Sequence, residues 1–325
     1  MNDLSITLGV LTYRRTELLR ELLRSFLRQT DAQTLRVIVY DNDPDGSAEA
    51  VARECIPAVQ LRYIKSDVNY GSSGGFNRLF AEALKEPVSH FFCCDDDIEL
   101  TDDCIDQLLE VAREQPRAVL LGGRRYVSGR EFPWAPKVST ADVTRVSAHQ
   151  SVSNHLVPVD TITFEGCLLP LAVMRDVGLP YRNFYLDGDD WDYGLRIRKA
   201  GFAILRIPAI VIVRKIEPIE RLVRIPLLGV SFWRSGISPE RSYYEIRNKF
   251  KLIHRHADRR TLALVRETAR ALRRLIGIAA FDDRKLFRSR LVLQAVTHGW
   301  ADVEGRNESL QLESPKPGNP NAFTA

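Results

Sequence analysis

The sequence has few cysteines and no long apolar run. Its five cysteines form no C-x-x-C motif and no even set, so we interpret them as small apolar residues of a protein in a reducing compartment. The longest uncharged apolar run of the C-terminal half extends only from Ile225 to Trp233, far short of the roughly 20 residues that span a bilayer. The N-terminus shows no basic segment followed by an apolar one, so we expect no secretion signal and a cytosolic location.

Glycine is missing from the turn that follows the first predicted strand. That turn reads TYRRTELL, whereas an NAD-binding unit would carry G-x-G-x-x-G there. A sugar-nucleotidyl transferase would likewise need a phosphate loop rich in glycine and lysine at this place. Glycines occur later, in NYGSSGGFNRLF at 69–80. Gly75 and its neighbours there allow a close backbone approach to an anion at a helix start, or simply form a turn.

Negatively charged residues are scarce relative to basic ones only near the C-terminus. The chain carries 46 basic and 42 acidic residues, but between 241 and 300 fifteen basic residues face five acids. This excess favours contact with an anionic partner, although a solvated helical face explains it equally well. A helix with Arg266, Arg270, Arg273 and Arg274 beside Leu264, Leu272 and Leu275 suits an anionic membrane surface. Nucleic acid is not expected, because no recognisable binding module accompanies the charge.

Strand and helix patterns alternate over the first hundred residues. Apolar runs such as SITLGVLTY and LRVIVYDND are each followed by a helical pattern. This β-α order predicts an α/β protein with a Rossmann-like, mostly parallel sheet flanked by helices. We expect one domain over 1–237; the family resemblance described below implies that it is catalytic, with a nucleotide-binding half at 1–100 and an acceptor half at 101–237. A helical region at 238–300 and a disordered tail at 301–325 follow.

Acidic clusters end the predicted strands, where ligands of parallel sheets bind. Asp95, Asp96 and Asp97 follow the apolar run SHFFCC. Three adjacent carboxylates suit Mg²⁺ or Mn²⁺, which in turn bind phosphate oxygens. Helix capping is the plainer explanation, but Thr101 to Asp103 already supplies a cap. A second cluster in YLDGDDWDYG holds more acids than a helix start needs, and one of them is an expected general base.

Several segments in order resemble a family 2 glycosyltransferase of the GT-A fold, in its galactofuranosyltransferase- and rhamnosyltransferase-like branch. The segments cover roughly residues 5–255 and are GVLTYRR, VIVYDND, NYGSSGGFNR, FFCCDDDIEL, TFEGCLLP, GLPYRNFYLDGDDWDYGLRIRKAGF and YYEIRNKF. The resemblance implies an inverting transfer of sugar from a UDP-galactofuranose- or dTDP-rhamnose-type donor to a glycan or lipid-linked glycan. It also implies a location in the cytoplasm or at the inner face of the plasma membrane.

The resemblance also implies residue roles. Asp190 matches the catalytic base, and Asp97, with Asp95, matches the ligands of Mn²⁺ or Mg²⁺. The remaining matches fall into two sets. Those expected to contact the nucleotide-sugar are Thr12, Arg14, Asp41, Asn69, Gly75, Asp95 and Asp96. Those expected to contact the acceptor are Glu165, Gly166, Trp191 and Asp192.

Arg214 stands where relatives commonly place a metal-binding histidine. Arginine is permanently cationic and cannot ligate a metal. Arg214 therefore either contacts the diphosphate itself, which we favour and which makes it a nucleotide-sugar-binding residue, or leaves the metal site to be completed by His254 or His256. The third interpretation is a catalytically impaired relative that binds nucleotide-sugars as a sensor or scaffold. The oligomeric state cannot be read from the sequence.

Overall fold

The computed structural model describes residues 4–30, 35–130, 138–139, 142–146, 155–217, 220–225 and 230–310. These residues form an α/β structure around a nine-stranded sheet. Helices cover both faces of the sheet, and three further helices follow at the C-terminal end. The predicted fold class is therefore confirmed.

The first half of the sheet is wholly parallel. It consists of β1 (Ile6–Thr12), β2 (Arg36–Asp41), β3 (Leu61–Lys65) and β4 (His90–Asp95) in the spatial order β3-β2-β1-β4. The connecting helices are α1 (Thr16–Leu27), α2 (Glu49–Cys55) and α3 (Gly71–Ala83). Since β1, β2 and β4 are buried along nearly their whole length, their continuous apolar runs are those of central parallel strands.

The second half of the sheet is mixed, so the expectation of a mostly parallel sheet holds only for the first half. Its strands are β5 (Ile98–Leu100), β6 (Val119–Tyr126), β9 (Val157–Pro158), β10 (Cys167–Pro170) and β11 (Ile204–Arg214). β10 lies antiparallel between β4 and β6. β11 is parallel to β6 but antiparallel to β5 and β9. A two-residue turn, Asp96-Asp97, joins β4 to β5.

The other elements cover the sheet or lie beside it. The helices of this half are α4 (Cys104–Glu114), α5 (Leu171–Val177) and α6 (Asp189–Lys199), with a short 3-10 helix at Arg182–Phe184. β7 (Val138–Ser139) pairs with β8 (Asp142–Val146), and β12 (Glu220–Ile225) pairs with β13 (Val230–Ser235). The five cysteines are free thiols, and all except Cys55 are buried, as their interpretation as core residues requires.

Two cores lie on opposite faces of the sheet. α1, α2 and α4 pack on one face, and α3, α5 and α6 pack on the other. α1 illustrates why the sequence folds this way, since Leu19, Leu22, Leu23 and Phe26 are spaced three or four apart and are all buried. Burying each such side chain contributes about 1.5–3 kcal/mol. The sheet therefore presents the carboxyl ends of its parallel strands on a rigid support.

A third core joins the C-terminal helices to the rest of the protein. These helices are α7 (Pro239–His256), α8 (Arg260–Phe281) and α9 (Lys285–Trp300). α7 begins where Ser238 accepts a hydrogen bond from the backbone N–H of Arg241 at 3.1 Å, with proline at its first position. The third core also includes Phe184, Tyr185 and Leu186. α7 is thereby packed against the segment that leads into α6.

Part of the segment after α9 contacts α7, and the disordered tail expected at 301–325 stays a prediction. The backbone N–H of Asn307 donates to the hydroxyl of Tyr244 at 2.9 Å, and Leu310 is buried. Lys251 donates to a carboxylate oxygen of Asp302 at 3.0 Å. Residues 311–325 lie outside the described part. Among the described helices, none is long and apolar enough to cross a bilayer.

Candidate active site

The triple aspartate lies at the edge of the sheet where β1 and β4 end. The parallel register pairs Leu11 with Asp95, which places Thr12 beside Asp96. The Thr12 hydroxyl donates to Asp96 at 2.7 Å, and the Arg15 guanidinium donates to the same carboxylate at 3.1 Å. Arg15 also lies 3.5 Å from a carboxylate oxygen of Asp97. Asp96 is therefore held by the protein itself, whereas Asp97 faces further along the edge.

A chain of alternating charges continues from Asp97 across the second half of the sheet. The guanidinium of Arg214, at the end of β11, lies 3.8 Å from Asp97 and 3.2 Å from Glu165. Arg124 of β6 donates to the other carboxylate oxygen of Glu165 at 2.9 Å. Arg124 and Arg214 thus meet at one carboxylate. Such guanidinium groups at a strand edge are suited to bind phosphate oxygens.

The carboxylates of this edge disfavour one another's ionisation. Burial and the like charges of Asp97 and Glu165 raise the pKa of Asp95 well above its ordinary value. Burial raises the pKa of Asp96 to about 6, against the opposing effect of Arg15. Burial also lowers the pKa of Arg124 to about 10. A cationic ligand at this edge would therefore be stabilised by carboxylates that are short of positive charge.

The residues fit a divalent cation that is shared with a ligand. Oxygen Oδ1 of Asp97 is buried and accepts no hydrogen bond from the described residues, an unsatisfied state that coordination would relieve. Among the described residues, however, no group of three His, Cys, Asp or Glu side chains could hold a metal ion alone. Asp97 and Asp95 would supply two carboxylates, and Mg²⁺ commonly takes its other oxygens from phosphate and water.

Asp190 lies in the first turn of α6, as predicted from the acidic cluster. Its Oδ1 accepts a hydrogen bond from the backbone N–H of Trp191 at 2.7 Å. A helix N-terminus normally lowers the pKa of a carboxyl. Here burial and the negative charges of Asp187 and Glu165 prevail over that effect and over Arg124, and raise the pKa of Asp190 to about 7. Asp190 can therefore both accept and release a proton near neutral pH.

A strained loop positions Asp190. Tyr185, Asp187 and Gly188 all have positive φ, at 69°, 58° and 96°. Residues other than glycine disfavour this conformation, so the strain lies at Tyr185 and Asp187. The side-chain amide of Asn248 donates to the carbonyl oxygens of Phe184, Leu186 and Asp187. These contacts from α7 offset the strain and fix the start of α6.

Arg241 joins the site from the C-terminal helices. It donates two hydrogen bonds to Asp187, at 2.8 and 3.1 Å. The pKa of Arg241 is raised, chiefly by Asp187 and further by Glu165 and Asp97, so its guanidinium belongs to the same electrostatic cluster. Sequence reasoning missed Arg241, Arg15 and Arg124 as site residues. The arginine-rich pattern of 241–300 signalled only an excess of charge and did not indicate which arginine turns toward the sheet.

Two residues expected to contact the nucleotide are committed to the fold instead. Asp41 is fully buried and accepts hydrogen bonds from the Tyr63 hydroxyl and from the backbone N–H groups of Asp43 and Ala48, at 2.7–3.0 Å. A Cβ at Gly75 would lie 2.5 Å from a methyl carbon of Leu11. Gly75 therefore permits α3 to pack closely on β1, and neither side of this contact offers a surface to a ligand.

Arg14 and Asn69 lie near the same edge, and their predicted contacts with the nucleotide stay predictions. Arg14 is half-exposed and donates to Asp43 at 3.0 Å and Asp45 at 2.6 Å. The side-chain oxygen of Asn69 accepts from Asn42 at 3.0 Å and from the backbone N–H of Gly71 at 2.8 Å. Asn69 thereby connects the end of β2 to the start of α3.

The four residues expected to contact the acceptor separate into different environments. Glu165 belongs to the charged network, whereas Gly166 is buried and a Cβ there would lie 2.2 Å from Ile212. Trp191 is half-buried, and its indole N–H has no hydrogen-bond partner within the part of the chain that the structure describes. Asp192 is fully buried against Arg255 and His256, each 2.7 Å away. Gly166 thus packs against Ile212 and Asp192 faces α7, and their expected roles beside the acceptor stay predictions.

The histidines offered as alternative metal ligands do not turn toward the triple aspartate. His254 contacts the carbonyl oxygen of Gly299 at 3.0 Å and the guanidinium of Arg260. His256 contacts Asp192 through Nε2. Both belong to the third core and its rim. Arg214 is consequently the side chain that approaches Asp97 from β11.

Comparisons with known proteins agree with this architecture. The model of glycosyl transferase family 2 matches residues 7–164. Galactofuranosyltransferase GlfT2 of Mycobacterium tuberculosis is 24% identical over 78% of this chain and 42% of the relative. The succinoglycan biosynthesis protein ExoM of Rhizobium meliloti is 35% identical over 41% of this chain and 42% of the relative. The chain thus spans less than half the length of these two relatives.

A solved structure supports the fold assignment. The crystal structure of GalNAc-T7 with UDP, GalNAc and Mn²⁺ matches this structure with a TM-score of 0.56 and 10% identity. The match covers 75% of this chain and 48% of the GalNAc-T7 chain. At this identity the match shows the fold alone, which is GT-A-like. The family match includes β1 and the triple aspartate at the end of β4. Over these residues, just under half of the chain, the sequence is therefore similar to glycosyl transferase family 2.

Proposed function

We propose that the chain is an inverting glycosyltransferase. It would move a sugar from a nucleotide-diphosphate sugar of the UDP-galactofuranose or dTDP-rhamnose type to a hydroxyl of a glycan or lipid-linked glycan. The observation that carries the proposal is Asp190, a carboxyl with a pKa of about 7 in the electrostatic field of Glu165 and Arg124. The names of the matched relatives favour cell-surface polysaccharide synthesis as the setting.

The protein's own residues take two roles in the reaction: one acts as the base, and others stabilise the leaving diphosphate. Asp190 accepts the proton of the acceptor hydroxyl as that oxygen attacks the anomeric carbon. The guanidinium groups of Arg214, Arg124 and Arg241 bind the diphosphate and stabilise the negative charge that develops on it. Because they are fixed by ion pairs before the donor arrives, little reorganisation is needed during the reaction.

Asp97 and Asp95 would hold Mn²⁺ or Mg²⁺ against the diphosphate, and the ion would neutralise part of the leaving-group charge. Arg214 supplies a second, permanent cation at the same edge, 3.8 Å from Asp97. The two cationic contributions act on one diphosphate. The site therefore has less need of a third protein ligand than a site that depends on the metal alone.

Calorimetric titration with UDP and dTDP tests the donor site. With Mn²⁺ present, we expect wild type to bind one of these nucleotides, and chelation to weaken binding by about tenfold or more. Asp97→Ala should bind as weakly as chelated wild type and should no longer respond to Mn²⁺. Arg214→Gln should weaken binding with and without the ion, because it removes the charge that does not depend on metal.

The control for this titration is Asp102→Ala, since the Asp102 carboxylate is largely exposed and pairs with Arg28, which is not among the predicted site residues. It should bind as wild type does. Binding that is tight and indifferent to Mn²⁺ would assign the diphosphate to the arginines. Failure of every nucleotide to bind wild type would contradict both the transferase function and the alternative of a sensor or scaffold that binds nucleotide-sugars.

A further inference from the structure

α8 exposes an apolar stripe on the side that faces away from the core. Leu262, Val265, Leu272 and Ile276 are 41%, 53%, 42% and 71% exposed. Their spacing of three, seven and four residues keeps them on one side of a helix. The opposite side buries Ala263, Leu264, Ala271 and Ile278. α8 is therefore apolar on both sides, which a helix that only covers a domain does not require.

α9 adds a parallel row to this stripe. Leu286, Leu293 and Trp300, seven residues apart, are 89%, 49% and 43% exposed. The indole N–H of Trp300 donates to the Thr268 hydroxyl of α8 at 2.8 Å, which places the row beside the stripe. Seven of the twelve exposed large apolar side chains of the described residues belong to these two helices. We call this surface, formed by the stripe and the row, the α8–α9 face.

The rim of the α8–α9 face is cationic. Arg266 and Arg273 are exposed beside the stripe, and Lys285 and Arg290 are exposed on α9. The only acid of α8, Glu267, is buried and accepts from Arg270 at 2.9 Å. Arg274 turns inward to Glu245 at 2.8 Å. The exposed residues of this face thus differ from those that the sequence predicted to face a membrane. That prediction included Arg270, Arg274 and Leu264, and Leu264 is buried.

We propose that the α8–α9 face docks the protein on the surface of an anionic lipid bilayer. In this arrangement both helices lie in the plane of the headgroups, with the apolar rows inserted and the four rim cations against lipid phosphates. Amphipathic helices with basic residues beside Leu and Trp bind bilayers in this way, and Trp is favoured at the headgroup level. A second copy of the chain would complement the apolar rows but would oppose cations with cations.

Sedimentation of the full chain with vesicles tests this surface. We expect binding to phosphatidylcholine vesicles that contain phosphatidylglycerol, and little binding to phosphatidylcholine alone. Each rim cation contributes about 1 kcal/mol near an anionic surface, so the double variant Arg266→Glu/Arg273→Glu should bind at least about tenfold more weakly. Ile276→Glu/Leu286→Glu should have a similar effect, because it removes the most exposed apolar groups of both rows.

The matched control is Val59→Glu, which alters a side chain that is 92% exposed far from the C-terminal helices. It should bind vesicles as wild type does. Thermal unfolding midpoints of all variants should agree, since the altered side chains are exposed. Wild type that ignores anionic vesicles, or variants that bind them unchanged, would overturn the proposal. So would a wild-type dimer in light scattering that Ile276→Glu/Leu286→Glu dissociates, since a second copy would then cover the face. UDP binding is measured separately, so the result does not depend on the transfer activity.

Discussion

Replacing Asp190 with asparagine is expected to lower the rate of sugar transfer by about 10²- to 10⁴-fold, the usual contribution of a general base. Asparagine keeps the size of the side chain and can still accept the hydrogen bond from the Trp191 N–H, but it cannot take a proton from the acceptor. The nucleotide site around Arg214 and Asp97 is unchanged by the substitution. UDP or dTDP affinity should therefore stay within a factor of about two of wild type.

The pH dependence of transfer should report the same group. Because the pKa of Asp190 is raised to about 7, the fraction of active base falls by about tenfold for each pH unit below that value. The residual activity of Asp190→Asn should lack this limb of the profile. Rates measured as release of UDP or dTDP from the donor, over about two pH units on either side of the pKa, would show both results.

Stability should move in the opposite direction to activity. A carboxyl whose folded-state pKa is raised contributes stability below its unfolded pKa and loses that contribution as the pH rises through the folded value. At neutral pH and above, the ionised Asp190 therefore costs stability, and Asp190→Asn should unfold at the same temperature as wild type or a higher one. Undiminished transfer by this variant, or a product that retains the anomeric configuration, would contradict the assignment of the base.

Much of the fold follows from local sequence patterns. β1, β2 and β4 are apolar runs of the length that a buried parallel strand needs, and α1 carries a regular buried stripe from Leu19 to Phe26. These signals are local, so the sequence suffices to read them. The antiparallel placement of β10 between β4 and β6 has no such signal. It depends on contacts between residues far apart in the chain, such as the pairing of Leu168 with Phe92 and Leu120.

The sequence predicts those parts of the candidate site whose location follows from their position at the end of a strand. Asp95, Asp96 and Asp97 follow a buried strand and therefore lie at its carboxyl end. Their partners Arg15, Arg124 and Arg241 come from three other elements, and a single sequence does not indicate which arginines converge. The glycines of 69–80 show the same limit. Gly71 and Gly75 serve close packing against Tyr185 and Leu11, a use that the spacing of glycines does not distinguish from ligand binding.

The directions of the two side chains on α6 explain why Asp190 and Asp192 lie in different environments. Two residues apart on a helix, their side chains point about 200° away from one another. If one carboxylate faces the sheet edge, the other must face the opposite side of α6, where α7 packs. The sequence-based prediction placed both aspartates at the active site and did not take their opposite directions into account. The burial of Asp192 beside Arg255 and His256 follows from it.

Asp192→Asn should accordingly lower the free energy of unfolding by about 2–3 kcal/mol, the range for charged hydrogen bonds in a buried pair with one half-exposed partner. Asp192 is fully buried, and its oxygen Oδ1 accepts from both Arg255 and His256 at 2.7 Å. Asparagine removes the negative charge that faces the Arg255 guanidinium and can keep only neutral-acceptor hydrogen bonds to Arg255 and His256. Urea unfolding at neutral pH measures the loss, and Asp176→Asn, in the exposed pair with Arg117, should cost at most about 1 kcal/mol.

The pH dependence of this loss identifies its cause. Burial favours the neutral acid, but the hydrogen bonds from His256 and Arg255 prevail and hold the pKa of Asp192 below its ordinary value of 3.8. A depressed pKa contributes stability above the unfolded value and loses it as the pH falls through the folded one. The difference between wild type and Asp192→Asn should therefore shrink as the pH falls below 3.8. An unchanged unfolding curve together with a raised KM for acceptor would instead place Asp192 beside the acceptor.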